Sequence, residues 1–231
     1  MERLRANPQS VLKIYLEQGM QSESLIQRKT KEFGIPLFHI PSSKMDKITH
    51  QKNAQGIIAD AKDFEYEHYQ NLLDMALEKN LTLFFLDNIT DPQNLGAMIR
   101  SIACLGAGGL ILPTHDSVEV TETVLRIASG AENYVPVAKV ANLNKALRQA
   151  KETGFEVLGT VVRGGESLFE CELPFRLAVV IGSEQKGVRD VIRQELDKEI
   201  TIPMKIETLS FNAAHAVTIL AYEIKKQKAK R

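Results

Sequence analysis

Leu81-Thr82-Leu83-Phe84-Phe85-Leu86 is a continuous run of buried-strand type. It leads straight into Asp87-Asn88-Ile89-Thr90-Asp91-Pro92-Gln93-Asn94-Leu95-Gly96-Ala97-Met98-Ile99-Arg100-Ser101, a polar turn that opens a helix. A strand without polar alternation has both faces covered, as in a parallel sheet clad in helices. Downstream the pattern repeats. Strands are expected at Gly109–Leu112, Glu156–Val162, Leu177–Ile181 and Glu199–Ile202, with a short extended piece at Val135–Val137. Helices are expected at about Leu95–Leu105, Thr121–Ser129, Leu143–Thr153 and Asn212–Lys228. Strands alternating with helices predict an α/β fold, a parallel sheet with helices on both faces.

Upstream lies a smaller α/β pattern. Val11–Leu16, Ile35–Ile40 and Gln55–Asp60 read as strands, and Ser24–Phe33 and Ser43–Ile48 as helices, with Gly34 just past the first of these. Asp63–Lys79 has no Gly or Pro and reads as a joining helix. The expected organisation is a small domain over residues 1–78, starting almost at its first strand, and a larger one over 79–231.

Composition narrows the function. The 231 residues are 44% hydrophobic and 25% charged, an ordinary globular mix. No stretch approaches the roughly 18–20 apolar residues of a membrane span, and Met1-Glu2-Arg3-Leu4-Arg5 leads into no signal core. Cys104 and Cys171 provide neither a disulfide framework nor a metal quartet, which fits a reducing cytoplasm. The 29 basic and 29 acidic side chains cancel, but unevenly. Residues 81–223 carry 13 basic and 18 acidic side chains, while Lys225, Lys226, Lys228, Lys230 and Arg231 form an acid-free tail. Neutrality therefore excludes only a uniformly basic nucleic-acid binder.

In parallel α/β sheets, ligands bind where strands end. Three strand ends are unusual here. In the first, Asn94 sits where an N-cap belongs, and Arg100 lies within the helix. Six residues turn a helix by about 600°, or about 240° net, so these two share no face. In the second, Ile181-Gly182-Ser183-Glu184-Gln185-Lys186-Gly187-Val188, the glycines invite a phosphate-loop reading. That reading fails because Val188-Arg189 stands where Lys-Ser/Thr is needed, and the Gly-x-Gly-x-x-Gly dinucleotide fingerprint is absent too. What remains is a tight turn presenting Glu184. In the third, Ile202-Pro203-Met204 leads through a loop to Ser210-Phe211-Asn212 and the last helix. Taken alone, Ser210 or Asn212 reads as an N-cap, and His215 as a partly buried residue on the helix's apolar side.

In this order and spacing the three segments resemble the three motifs of the SpoU (TrmH-like) RNA 2′-O-ribose methyltransferases of the SPOUT superfamily. The likeness covers about residues 80–224, including Ala128-Ser129-Gly130-Ala131-Glu132 and Asn142-Leu143. The first third resembles the substrate-binding domain of the branch acting on a 23S ribosomal RNA guanosine, through His50-Gln51 and Gln55-Gly56-Ile57-Ile58-Ala59. That domain's usual opening helix is not evident.

The resemblance implies a deep C-terminal trefoil knot, a homodimer, an RNA substrate and S-adenosylmethionine as methyl donor without a metal. Thr160, Gly182, Ile202 and Phe211 would line the donor pocket. Arg100, Asn94, Glu184, Ser210 and Asn212 match the family's functional polar positions. Family proposals make Arg100 the base for the ribose hydroxyl. Arginine stays charged to above about pH 12, so a clamp on the adjoining phosphate is physically easier, and both roles stay open. Asn94 and Ser210 would hydrogen-bond the target nucleotide or the loops, and Glu184 and Asn212 would orient groups around Arg100. Phe211 replaces the family's usual Leu, and Ile206 its usual Gly. Ribosomal RNA is the expected substrate, with tRNA, or a non-catalytic RNA-binding role, as alternatives. A dinucleotide enzyme is disfavoured by the missing fingerprints.

Overall fold

In the computed structural model, which describes residues 1–20, 24–49, 56–206 and 208–230, the chain divides into units Met1–Glu65 and Tyr66–Arg231. The smaller unit runs α1 (Glu2–Ala6), β1 (Val11–Glu17), α2 (Ser24–Phe33), β2 (Leu37–Ile40), α3 (Ser42–Thr49) and β3 (Ile57–Ala61). Its sheet has the order β2-β1-β3, with β1 parallel to β2 and antiparallel to β3. Leu4, Val11, Ile14, Leu16, Ile26 and Ile35 form its core. Helix α1 was not evident from the sequence, because five residues carry no periodicity; its Leu4 is nonetheless buried in that core. Gly34 closes α2 with φ of +64°, a conformation glycine adopts without penalty. His50, Gln51 and Gln55 lie outside the described residues.

The larger unit contains α4 (Tyr69–Lys79), β4 (Thr82–Asp87), α5 (Pro92–Leu105), β5 (Gly108–Pro113), α6 (Glu122–Ala128), β6 (Val137–Val140), α7 (Leu143–Glu152), β7 (Glu156–Thr160), β8 (Glu166–Ser167), β9 (Leu177–Gly182), α8 (Asp190–Arg193), β10 (Lys198–Thr201) and α9 (Ala213–Lys228). Seven strands form one sheet, ordered β6-β5-β4-β9-β7-β10-β8, and every pairing is parallel. All six residues of β4, and all six of β5, are buried.

Helix α4 packs on this unit. Its Tyr69, Leu72, Leu73 and Ala76 are buried, and the Tyr69 hydroxyl donates to the Ala146 carbonyl at 2.6 Å. The break therefore falls earlier than the expected 78/79 boundary. The expected helix start at Asp63 is also too early, since Glu67 instead bridges to Ala138 as an added strand residue. Strand β6 starts at Val137 rather than Val135 because Pro136 has no N–H for the ladder; its carbonyl still accepts from Leu110 N at 2.9 Å.

Parallel strands put their C-terminal ends on one edge. Register pairs Asp87 with Gly182, Gly159 with Val180 and Ile200 with Thr160, so the loops after β4, β7, β9 and β10 emerge side by side. Among the described residues no helix is long and apolar enough to cross a membrane.

Candidate active site

The loop after β4 opens α5 earlier than expected. Asp91 is the N-cap, its carboxylate accepting from Gln93 N at 2.9 Å, and Pro92 takes the first helical position. There its missing N–H costs nothing. Asn94 is therefore not the cap. It lies in the first turn, 7% exposed.

Asn94 is committed on both sides. Its Nδ2 donates to Glu184 Oε1 at 2.6 Å, and its Oδ1 accepts from Asn212 Nδ2 at 2.8 Å. Asn212 is the N-cap of α9, with Oδ1 accepting from Ala214 N at 2.9 Å. Its Nδ2 also lies 3.3 Å from Glu184 Oε1, as does Ala213 N. One residue from each motif thus meets at a single carboxylate, which also faces the start of a sixteen-residue helix.

The turn carrying Glu184 is closed on itself. Gly187 N donates to Ser183 O at 2.8 Å, and Lys186 N to Ser183 Oγ at 3.3 Å. A Cβ on Gly182 would stand 2.1 Å from the Gly187 carbonyl carbon, so only glycine fits there. The turn is also pinned from behind. Arg189 donates from N at 2.8 Å and from Nε at 2.7 Å to Asp87, a carboxylate with no exposed surface at the end of β4.

Between these loops lies a cavity of about 260 Å³. Thr160, Gly182, Ile202, Phe211, Glu184 and Ser210 all line it, and Thr160 Oγ1 donates to Val180 O at 3.2 Å. Ile181, Ile202 and Phe211 provide an apolar wall, and Ser210 and Glu184 a polar side. Arg193, also in the lining, is committed to Glu199. That hydrogen bond holds the Glu199 carboxyl below its ordinary value.

Arg100 stands apart. It is exposed, does not line the cavity, and its Nη1 lies 3.4 Å from Ser129 Oγ. Ser129 caps α6 in the left-handed region with φ of +56°. The structure thus joins Asn94, Glu184 and Asn212, puts Glu184 and Ser210 on the cavity, and leaves Arg100 elsewhere. His215 is exposed, not partly buried on an apolar face. Ile206 is exposed and not among the residues with positive φ. Among the described residues no group of three or more His, Cys, Asp or Glu could hold a metal ion.

Two features escaped the sequence reading. The Asp87–Arg189 tie joins residues 102 apart and carries no local signal. The Asp91-Pro92 cap had a local signal, an N-capping aspartate followed by proline, with which Asn94 competed.

The description of the SpoU rRNA Methylase family matches residues 81–222, and that of RNA 2′-O ribose methyltransferase substrate binding matches residues 1–67. An uncharacterized tRNA/rRNA methyltransferase of Synechocystis is 38% identical over 200 residues, covering 86% of this chain but only 52% of that protein. An uncharacterized tRNA/rRNA methyltransferase of Mycobacterium ulcerans is 33% identical over 232 residues, covering 99% of this chain and 74% of that protein. The crystal structure of an AdoMet-bound rRNA methyltransferase from Sinorhizobium meliloti has the same fold, with a TM-score of 0.79 at 21% identity over 97% of this chain and 84% of that one.

Proposed function

We propose, because this chain belongs to the SpoU rRNA Methylase family, that it methylates a ribose 2′-hydroxyl in RNA with S-adenosylmethionine as donor. One observation carries the reading: three sequence-distant motifs converge on Glu184 beside a cavity lined by Thr160, Gly182, Ile202 and Phe211. An apolar wall facing a carboxylate and a hydroxyl suits a ligand with a purine at one end and an amino acid at the other. When bound, that donor supplies an electrophilic methyl group.

The chain's own residues supply positioning. Asn94 spends both amide atoms inside the protein, so its role is to fix Glu184 and Asn212 rather than to read the nucleotide. Ser210, on the cavity wall, is placed to hydrogen-bond bound groups. Arg100 is exposed and retains donors beyond its long contact to Ser129. A guanidinium in that setting suits the phosphate beside the target ribose, and this favours the clamp over the base. Because Arg100 lies away from its own chain's cavity, the proposal extends to the homodimer implied by the family likeness, with Arg100 of one copy serving the cavity of the other. The knotted C-terminal segment implied by the family likeness belongs to the same proposal.

We put 23S ribosomal RNA first, in keeping with the rRNA in the family's description and the substrate-binding match over the small unit. Transfer RNA is the second reading, favoured by relatives whose names give both classes. Transfer of labelled methyl to unmodified total RNA, followed by mapping, tests the whole proposal. The expected product is one 2′-O-methylated position in 23S RNA. A mark on tRNA would move the substrate. Donor binding without transfer to any RNA would leave a non-catalytic relative, and absence of donor binding at millimolar concentration would overturn the reading.

A further inference from the structure

The smaller unit carries an aromatic pair that the methyl-transfer chemistry does not use. Tyr15 on β1 and Phe38 on β2 are direct partners across the parallel pair, with ring centroids 5.5 Å apart and planes 28° from parallel. Side chains alternate along a strand, so the pair faces away from Ile14 and Leu16, which belong to the core. Phe38 lies on the edge strand of the sheet and is 46% exposed. Lys13, two residues along β1 on the same face, holds its Nζ 5.7 Å from the Tyr15 ring centroid. The same Nζ pairs with Asp60 Oδ2 at 3.1 Å on the neighbouring β3.

Unpaired nucleobases are bound by exposed rings on which they stack, helped by a cation at the margin. A single exposed ring is unremarkable on a protein surface. Here the exposed ring is backed by a second one in an inclined stack, on a β-surface that fixes both. We propose that this face is a stacking platform for unpaired nucleotides of the RNA substrate. One base lies on Phe38, Tyr15 backs the ring, and Lys13 turns its remaining N–H groups to the adjoining phosphate. This rests on the RNA reading above and adds which surface grips RNA and by what chemistry. Because Asp60 balances Lys13, the grip is mainly stacking, and its loss should weaken binding with little change in salt dependence.

The chain contains no tryptophan, so Phe38→Trp creates a sole indole reporter in the full-length protein. Its emission should be quenched by oligoadenylate, an unpaired probe, and much less by a duplex of equal length. Phe38→Ala and Phe38→Leu should raise KM for unmodified RNA roughly 5- to 100-fold, the span expected for one lost base stack, while Phe38→Trp keeps it near the parent value. Donor affinity should be unchanged in all three. Unquenched emission with oligoadenylate, or an unaltered KM in Phe38→Ala, overturns the platform while methyl transfer by the parent protein still upholds the RNA reading. Emission that shifts with protein concentration alone assigns the face to a second copy and also overturns it. If the parent transfers no methyl group to any RNA, the functional reading falls separately, since the quenching assay does not depend on catalysis.

Discussion

Glu184 Oε1 receives donors from Asn94, Asn212 and the Ala213 backbone, yet the residue itself is exposed. That separates its contribution to the site from its contribution to the fold. Glu184→Gln should lower methyl transfer about 100- to 1000-fold, the range for removing a preorganised polar group, while urea unfolding shifts by less than about 1 kcal/mol. Asn94→Ala should match it in activity but cost about 1–3 kcal/mol, because its partners lose hydrogen bonds at a buried position. Single-turnover assays alongside urea melts check both. Tyr69 makes a different argument. Burial pushes its phenol pKa well above the ordinary 10.0. The unfolded chain ionises near that ordinary value while the folded one stays neutral, so the stabilisation is complete below about pH 10 and is lost as pH rises toward the folded value. Tyr69→Phe should cost about 0.5–1.5 kcal/mol at neutral pH and flatten the alkaline loss in melts from pH 8 to 11.

Between elements, the decisive tie is Arg189 to Asp87. Removing the arginine leaves a fully buried carboxylate without its cation, a change of about 3 kcal/mol or more. Arg148 also pairs with a carboxylate, Glu195, but its guanidinium is exposed, where solvent screens the pair and its loss matters little. Arg189→Met should therefore lower the unfolding midpoint far more than Arg148→Met, in parallel denaturant titrations. The contrast also marks what can be read from sequence. The uniformly buried β4, the helices with clear caps and the residues of the polar cluster were legible, because strand type and motif spacing are local or carried by family likeness. The start of α5 was misplaced although Asp91-Pro92 advertised it, since Asn94 offered a competing cap. The Asp87–Arg189 tie, the exposure of His215 and the contact of Arg100 with Ser129 depend on which elements become neighbours, and no local pattern encodes that.

At the scale of the whole molecule, charge and the proposed dimer bear on how the proposed RNA substrate would be held. The basic tail is not uniformly free. Lys228 Nζ donates to Asn80 O at 2.6 Å and Thr82 Oγ1 at 3.2 Å, and Lys226 pairs with Glu223. Arg231 lies outside the described residues. Lys225 and Lys230 are exposed, so if the tail reaches phosphates, Lys225→Gln with Lys230→Gln should reduce the log–log salt slope of RNA binding by about 1–2, whereas Lys228→Gln should mainly lower stability. The proposed dimer has an equally direct test. If Arg100 serves the other copy's cavity, mixing Arg100→Ala with Glu184→Ala restores one intact site per mixed dimer, and methyl transfer returns to a substantial fraction of the parent. If Arg100 serves its own chain, every site in the mixture carries a lesion and transfer stays absent. The placement of β9 has one more consequence, in time rather than space. Its neighbours β4 and β7 both precede it in the chain, and the turn that follows β9 is held by residues 90 and 102 positions upstream. Contacts of such separation require long loops to close first. The geometry of the proposed site is therefore among the last things the chain builds, and on refolding, methyl transfer should return only after helix and sheet signals have recovered.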